Sequence, residues 1–219
     1  RGTPISTETF QWAMQGDNAW ASQAIERDGK WYWYICANDT IKKLHGIGVA
    51  VADRPEGPYS DPLKKPLVPG AFGYIDPSVF IDDDGQAYLF WGNNGLWYAK
   101  LNKDMISLGS EVIPVKELND STAFGPLVMK RDYQLNKRML KTNYEEGPWV
   151  FKRNGLYYIV YAAGGVPEHM AYSTAKSIHG PWKYQGRIMN EAANSFTIHG
   201  GSIEYHNRHF MFYHNGALP

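Results

Sequence analysis

Residues 76–91 read DPSVFIDDDGQAYLFW, residues 146–161 read EGPWVFKRNGLYYIVY, and the two lie over one another without a gap. Two further stretches fit the same frame, WASQAIERDGKWYWYI at 20–35 and HGGSIEYHNRHFMFYH at 199–214. A turn pair recurs at one offset in each: Asp28-Gly29, Asp84-Gly85, Asn154-Gly155 and, in degenerate form, Asn207-Arg208. Asp-Gly and Asn-Gly favour tight hairpins because both central positions need positive φ, which these residues tolerate. An aromatic-rich run follows every turn, the composition of a strand packed between sheets. Each stretch therefore predicts a β-hairpin.

The hairpins recur every 53 to 70 residues, which leaves room for further strands between them. Those gaps repeat as well. GIGVAVADRPEGPYSD at 46–61 and MAYSTAKSIHGPWKYQG at 170–186 each place a strand before Gly-Pro-aromatic. This is the period of a four-stranded β-propeller blade, so the expected class is an all-β propeller. In that fold the innermost strands line a central axis, and residues at one offset in successive blades form a ring. Trp20, Asp76, Glu146 and His199 share such an offset, so they are expected to face one axial cavity. Four axial hairpins are visible. Residues 1–19 read as the outer edge of a blade whose inner strands are absent, and the chain stops just after an inner hairpin. The expectation is a single catalytic domain over 1–219, a five-bladed ring truncated at both ends.

Composition narrows the partners. The chain has 219 residues, 22 basic and 22 acidic, hence no net charge, and 15% of its residues are aromatic. A balanced charge offers no general attraction to nucleic acid or an anionic membrane, so a neutral partner is expected. The only cysteine, Cys36, can form no internal disulfide and reads as a small buried apolar residue in WYWYICA. No apolar run reaches membrane-spanning length. Secretion or the periplasm is favoured over the cytoplasm without either being fixed.

Three motifs, IDPSVFIDDDGQAYLFWG, YEEGPWVFKRNGLYYIVYAAGG and HGGSIEYHNRHFMFYHNGALP, resemble the blade starts of glycoside hydrolase family 43. That family comprises five-bladed propeller α-L-arabinofuranosidases and β-xylosidases acting on plant cell-wall polysaccharides. The resemblance implies Glu146 as general acid and Asp76 as the aspartate that orients the acid and raises its pKa. The first-blade aspartate that serves as general base has no match, so the base is expected outside this chain. The resemblance also implies a water-coordinated calcium on the axis beside His199, and no cofactor for the chemistry. Trp20 and Trp149 are the expected sugar-facing aromatics, and the expected partner is a neutral pentose-containing oligo- or polysaccharide.

The chemistry agrees with these roles. An inverting glycosidase needs a protonated carboxyl for the leaving oxygen and an ionised carboxylate to activate water, roughly 6.5 to 9.5 Å apart. Glu145, one residue out of register, is expected to point away from the axis. Asp82, Asp83 and Asp84 lack the alternation of a calcium-binding loop and read as a solvated turn. No zinc-ligand spacing, phosphate loop, sialidase Ser-x-Asp-x-Gly box or Trp-Asp dipeptide occurs. The reading from a different class is a non-catalytic carbohydrate-binding or scaffolding propeller.

Overall fold

The computed structural model describes residues 5–17, 19–131, 136–139 and 142–216. Parts of the expected N-terminal blade edge (1–4 and 18) and the end of the last motif (217–219) lie outside the described residues. Contacts group the chain into two compact units, Arg1–Asn93 with Trp97–Ile113, and Asn94–Leu96 with Pro114–Pro219.

In the first unit β1 (Ser22–Arg27), β2 (Lys30–Asn38) and β3 (His45–Ala52) form an antiparallel sheet in that order. Arg27 pairs with Lys30 around Asp28 (φ +53°) and Gly29 (φ +77°), the two-residue turn expected of Asp-Gly. A second sheet runs β4 (Ser78–Ile81), β5 (Ala87–Trp91), β6 (Trp97–Leu101) and β7 (Ile113–Pro114), the last crossing into the second unit. Its first turn is wider than the Asp84-Gly85 pair predicts. Only Gly85 takes positive φ, and its N–H donates to the Asp82 carbonyl at 2.8 Å. Asp82 Oδ1 accepts from Asp83 N–H and Asp84 Oδ1 from Gln86 N–H, so the aspartates cap their own backbone in an exposed turn. Every residue of β5 is buried, and Tyr34, Val49, Leu89 and Trp91 meet in the core of this unit.

The second unit opens with a short α1 (Ser121–Phe124) and a small pair, β8 (Met129–Arg131) with β9 (Lys137–Met139). Its main sheet is a four-stranded antiparallel meander, β10 (Tyr144–Arg153), β11 (Leu156–Ala163), β12 (His169–Ala175) and β13 (Lys183–Met189). A hairpin of β14 (Gly200–Tyr205) and β15 (Arg208–Tyr213) follows. Asn154 (φ +50°) and Gly155 (φ +75°) turn β10 into β11 as predicted. The fourth turn corrects the sequence reading: it falls on His206 (φ +48°) and Asn207 (φ +57°), one residue before Asn207-Arg208. Asparagine and histidine visit the left-handed region far more readily than arginine, and Arg208 instead pairs with Tyr205 in the ladder. β3 and β12, the strands read from the second repeat, are each third in their sheet and each followed by a cis Gly-Pro, Gly57-Pro58 and Gly180-Pro181.

Candidate active site

In the first unit Trp20 and Asp76 each stand two residues ahead of a hairpin, before β1 and β4. Asp76 holds φ +59° and is 3% exposed. Asp tolerates this left-handed conformation better than most residues, and here it swings the chain into β4 through Pro77. Cys36, fully buried on β2, ties the two positions together. Its Sγ–H donates to the Trp20 carbonyl at 2.9 Å, and the Asp76 backbone N–H is directed at the same sulfur. The Trp20 ring is 46% exposed and stacks on His45 with centroids 4.5 Å apart. One flat face thus lies on imidazole while much of the indole stays open to solvent.

In the second unit Glu146 is the third residue of β10, where the strand is irregular. Tyr144 pairs with Ala163, Glu146 with Ala162 and Trp149 with Val160, so β10 carries extra residues on both sides of the glutamate. Glu-Gly-Pro builds that irregularity. Gly147 takes φ +61°, and Pro148 cannot donate to a ladder. The result aims the carboxylate at His199, whose Nε2 lies 3.1 Å from Glu146 Oε1. Gly147 is also required by closeness, since a Cβ there would meet the His199 ring at 2.9 Å.

His199, immediately before β14, is itself fixed by His214, a residue the repeat contains but the sequence reading did not single out. The His199 backbone N–H donates to His214 Nδ1 at 3.2 Å, so Nδ1 is the acceptor nitrogen. Nε2 then carries the proton and faces the Thr197 carbonyl at 3.1 Å. The only prior signal for His214 was its place at the end of the fourth repeat. Trp149 packs β10 onto β14: its indole N–H donates to the Ser202 carbonyl at 3.0 Å and its ring lies over Gly201. Glu145 is buried, and its carbonyl accepts from Asn94 N–H at 2.7 Å.

The profile described as Glycosyl hydrolases family 43 matches residues 2–218. Xylosidase/arabinosidase 43A of Humicola insolens is 32% identical over 243 residues, spanning 99% of this chain and 71% of the relative. A Beta-xylosidase of Xylanibacter ruminicola is 30% identical over 235 residues, spanning 98% and 70%. Among solved structures, a family 43 β-xylosidase/α-arabinofuranosidase from a compost microbial metagenome superposes with a TM-score of 0.79. It is 27% identical, the match covers 98% of this chain and 69% of that one, and the structure is a calcium-free form in complex with xylotriose. The antiparallel, nearly all-β architecture is that of the five-bladed propellers among these structures.

Proposed function

Because this chain belongs to glycosyl hydrolase family 43, we propose that it removes arabinofuranosyl or xylosyl units from arabinoxylan, arabinan or xylo-oligosaccharides with inversion, Glu146 acting as general acid. The observation that carries the assignment is the 3.1 Å contact between Glu146 Oε1 and His199 Nε2, on a strand made irregular at that residue. In the proposed cycle the Glu146 carboxyl protonates the departing glycosidic oxygen, and His199 holds the carboxyl in one orientation as its charge changes. Asp76 is assigned to keep the acid protonated through its negative charge and to place the sugar. The base that activates water is assigned to none of these residues. Trp20 supplies the exposed aromatic face for a sugar ring, while Trp149, packed on Gly201 and Ser202 of β14, holds the strand that carries Glu146. The reading of 1–219 as one catalytic domain is part of the same proposal.

His199 is a poor direct ligand for calcium, because the ion prefers oxygen ligands and the ring offers a nitrogen already facing Glu146. His199 would therefore reach an ion only through water, and no step is routed through one. The neutral charge balance supports a neutral saccharide over nucleic acid or an anionic membrane. No described helix is long and apolar enough to cross a membrane.

Leaving-group dependence tests the acid. A general acid contributes about 10²- to 10⁴-fold, so Glu146→Gln should lose about that much on a pentosyl disaccharide. On a dinitrophenyl pentoside, whose leaving group needs no proton, most of the loss should disappear. A loss of equal size on both substrates would remove Glu146 from the role.

A further inference from the structure

The second unit contains a concavity of about 280 Å³ that does not include Glu146 or His199. It is lined by Asn143, Gly164, His169, Tyr184, Arg187 and Glu191 with apolar residues of the 126–129 segment. Two of its polar walls are deeply buried, Asn143 at 2% and His169 at 5% exposure. Both are held in place. Asn143 Nδ2 donates to the Phe124 carbonyl at 3.0 Å, which leaves its carbonyl oxygen as the group to be used. The His169 ring lies so close over Gly164 (φ +81°) that any Cβ there would overlap it. Gly125 (φ +97°) does the same for the opposite wall, where a Cβ would meet both Asn143 Nδ2 and the Tyr184 ring within 2.8 Å. Two glycines in the left-handed region thus admit the side chains that shape the space.

The chemistry of the lining selects its ligand. Arg187 Nη1 and Glu191 Oε1 stand 3.4 Å apart and neutralise one another, so the concavity favours neither an anion nor a cation. What remains is a mixture of donors and acceptors beside the flat face of Tyr184 and a strip of apolar surface. That combination suits a sugar, whose hydroxyls need both kinds of partner and whose C–H face needs an apolar one. The volume lies just below the roughly 300 Å³ lower bound for ligand pockets, enough for a small saccharide unit and too little for a bulky ligand.

Position selects the part of the substrate. Glu146 pairs with Ala162, and Ala162 with Met170, the neighbour of His169. The cavity therefore lies at the Glu146 end of the same sheet, on strands farther out. Two strand spacings put His169 about 10 Å from the glutamate. A general acid stands on the leaving-group side of the bond it cleaves, and the sheet extends from Glu146 towards this cavity. We propose that the cavity is a subsite for the leaving-group portion of a pentose oligosaccharide, with Tyr184 as its platform and Asn143, His169 and Arg187 as its hydrogen-bonding walls. This rests on the assignment of Glu146 as the acid, and it makes chains of several sugars better ligands than single ones.

The test is calorimetric titration of the full chain carrying Glu146→Gln, so that no ligand is consumed, with xylose and with xylotriose. Xylotriose should bind more tightly than xylose. Adding Tyr184→Ala or, at the rim, Arg187→Ala should weaken xylotriose about tenfold, roughly 1.4 kcal/mol, and leave the xylose affinity where it was. Melting curves establish that each variant is folded. Trisaccharide binding that is absent, or indifferent to both substitutions, would overturn the subsite. Binding that depends on Tyr184 in a protein whose Glu146 form hydrolyses nothing would overturn the catalytic reading and leave a saccharide site.

Discussion

Cys36 shows how much a single atom can organise. Its sulfur touches the backbone of Trp20 and of Asp76, two residues separated in sequence but placed at equivalent hairpin entries. Burial, the largest cause, pushes its thiol from an ordinary value near 9 up to about 12. The folded protein therefore keeps a proton that the unfolded chain releases, and stability must fall as pH rises from about 9 towards 12. At one pKa unit per 1.36 kcal/mol the contribution is at most about 4 kcal/mol. Melting temperature should accordingly drop more steeply over this interval in the parent protein than in Cys36→Ala. Tyr34 and Tyr161, whose pKa values burial also raises, add the same slope to both proteins. Parallel curves would mean that the thiol ionises without cost to the fold. The burial of Cys36 was legible from WYWYICA, because a lone cysteine among aromatics has little else to do. Its bonds were not, since they join segments that only the folded chain brings together.

At the scale of the element, turn chemistry explains both what was legible and what was displaced. Asp28-Gly29 and Asn154-Gly155 place residues suited to positive φ at both centres, and both turns form where predicted. Asp84-Gly85 keeps the hairpin but widens its loop: the Gly85 N–H bonds the Asp82 backbone carbonyl, and the Asp82 and Asp84 side chains accept from Asp83 and Gln86 N–H within the turn. The last turn shifts to His206-Asn207 because equal spacing carries no steric preference, whereas Arg208 at positive φ would be strained. The same limit applies to Glu146: its identity was visible in Glu-Gly-Pro, but its orientation depends on a local loss of strand register that no spacing rule encodes. His214 escaped notice because its function is to bond a backbone N–H, which leaves no motif. The fourth turn offers a measurement. The Tyr205 and His206 rings meet with centroids 4.1 Å apart, and neither central residue is the one the turn prefers most. Replacing His206-Asn207 with Asn-Gly should stabilise the protein by about 0.5 to 1 kcal/mol. A denaturation midpoint that fell would show that the Tyr205–His206 contact outweighs the backbone preference.

For the whole molecule, the two carboxylates assigned to the chemistry belong to different units, Asp76 to the first and Glu146 to the second. Any influence of one on the other is thus a property of the complete chain. The equal offset that first linked them is a statement about sequence alone, and the family profile spans both segments without assigning either residue a role. If Asp76 acts through its charge, replacing it with asparagine removes a repulsion that keeps the acid protonated. The acid would then ionise at lower pH, and the basic limb of the kcat/KM profile should move down in Asp76→Asn together with a large fall in kcat. Asp83→Asn, at the exposed turn that follows β4, removes the same formal charge from the same unit and should leave the limb in place. That control separates a local charge effect from a change in net charge. A limb that stays fixed in Asp76→Asn while kcat collapses would confine Asp76 to positioning the sugar. A limb that moves equally in both variants would mean that the acid senses only the overall field of the protein.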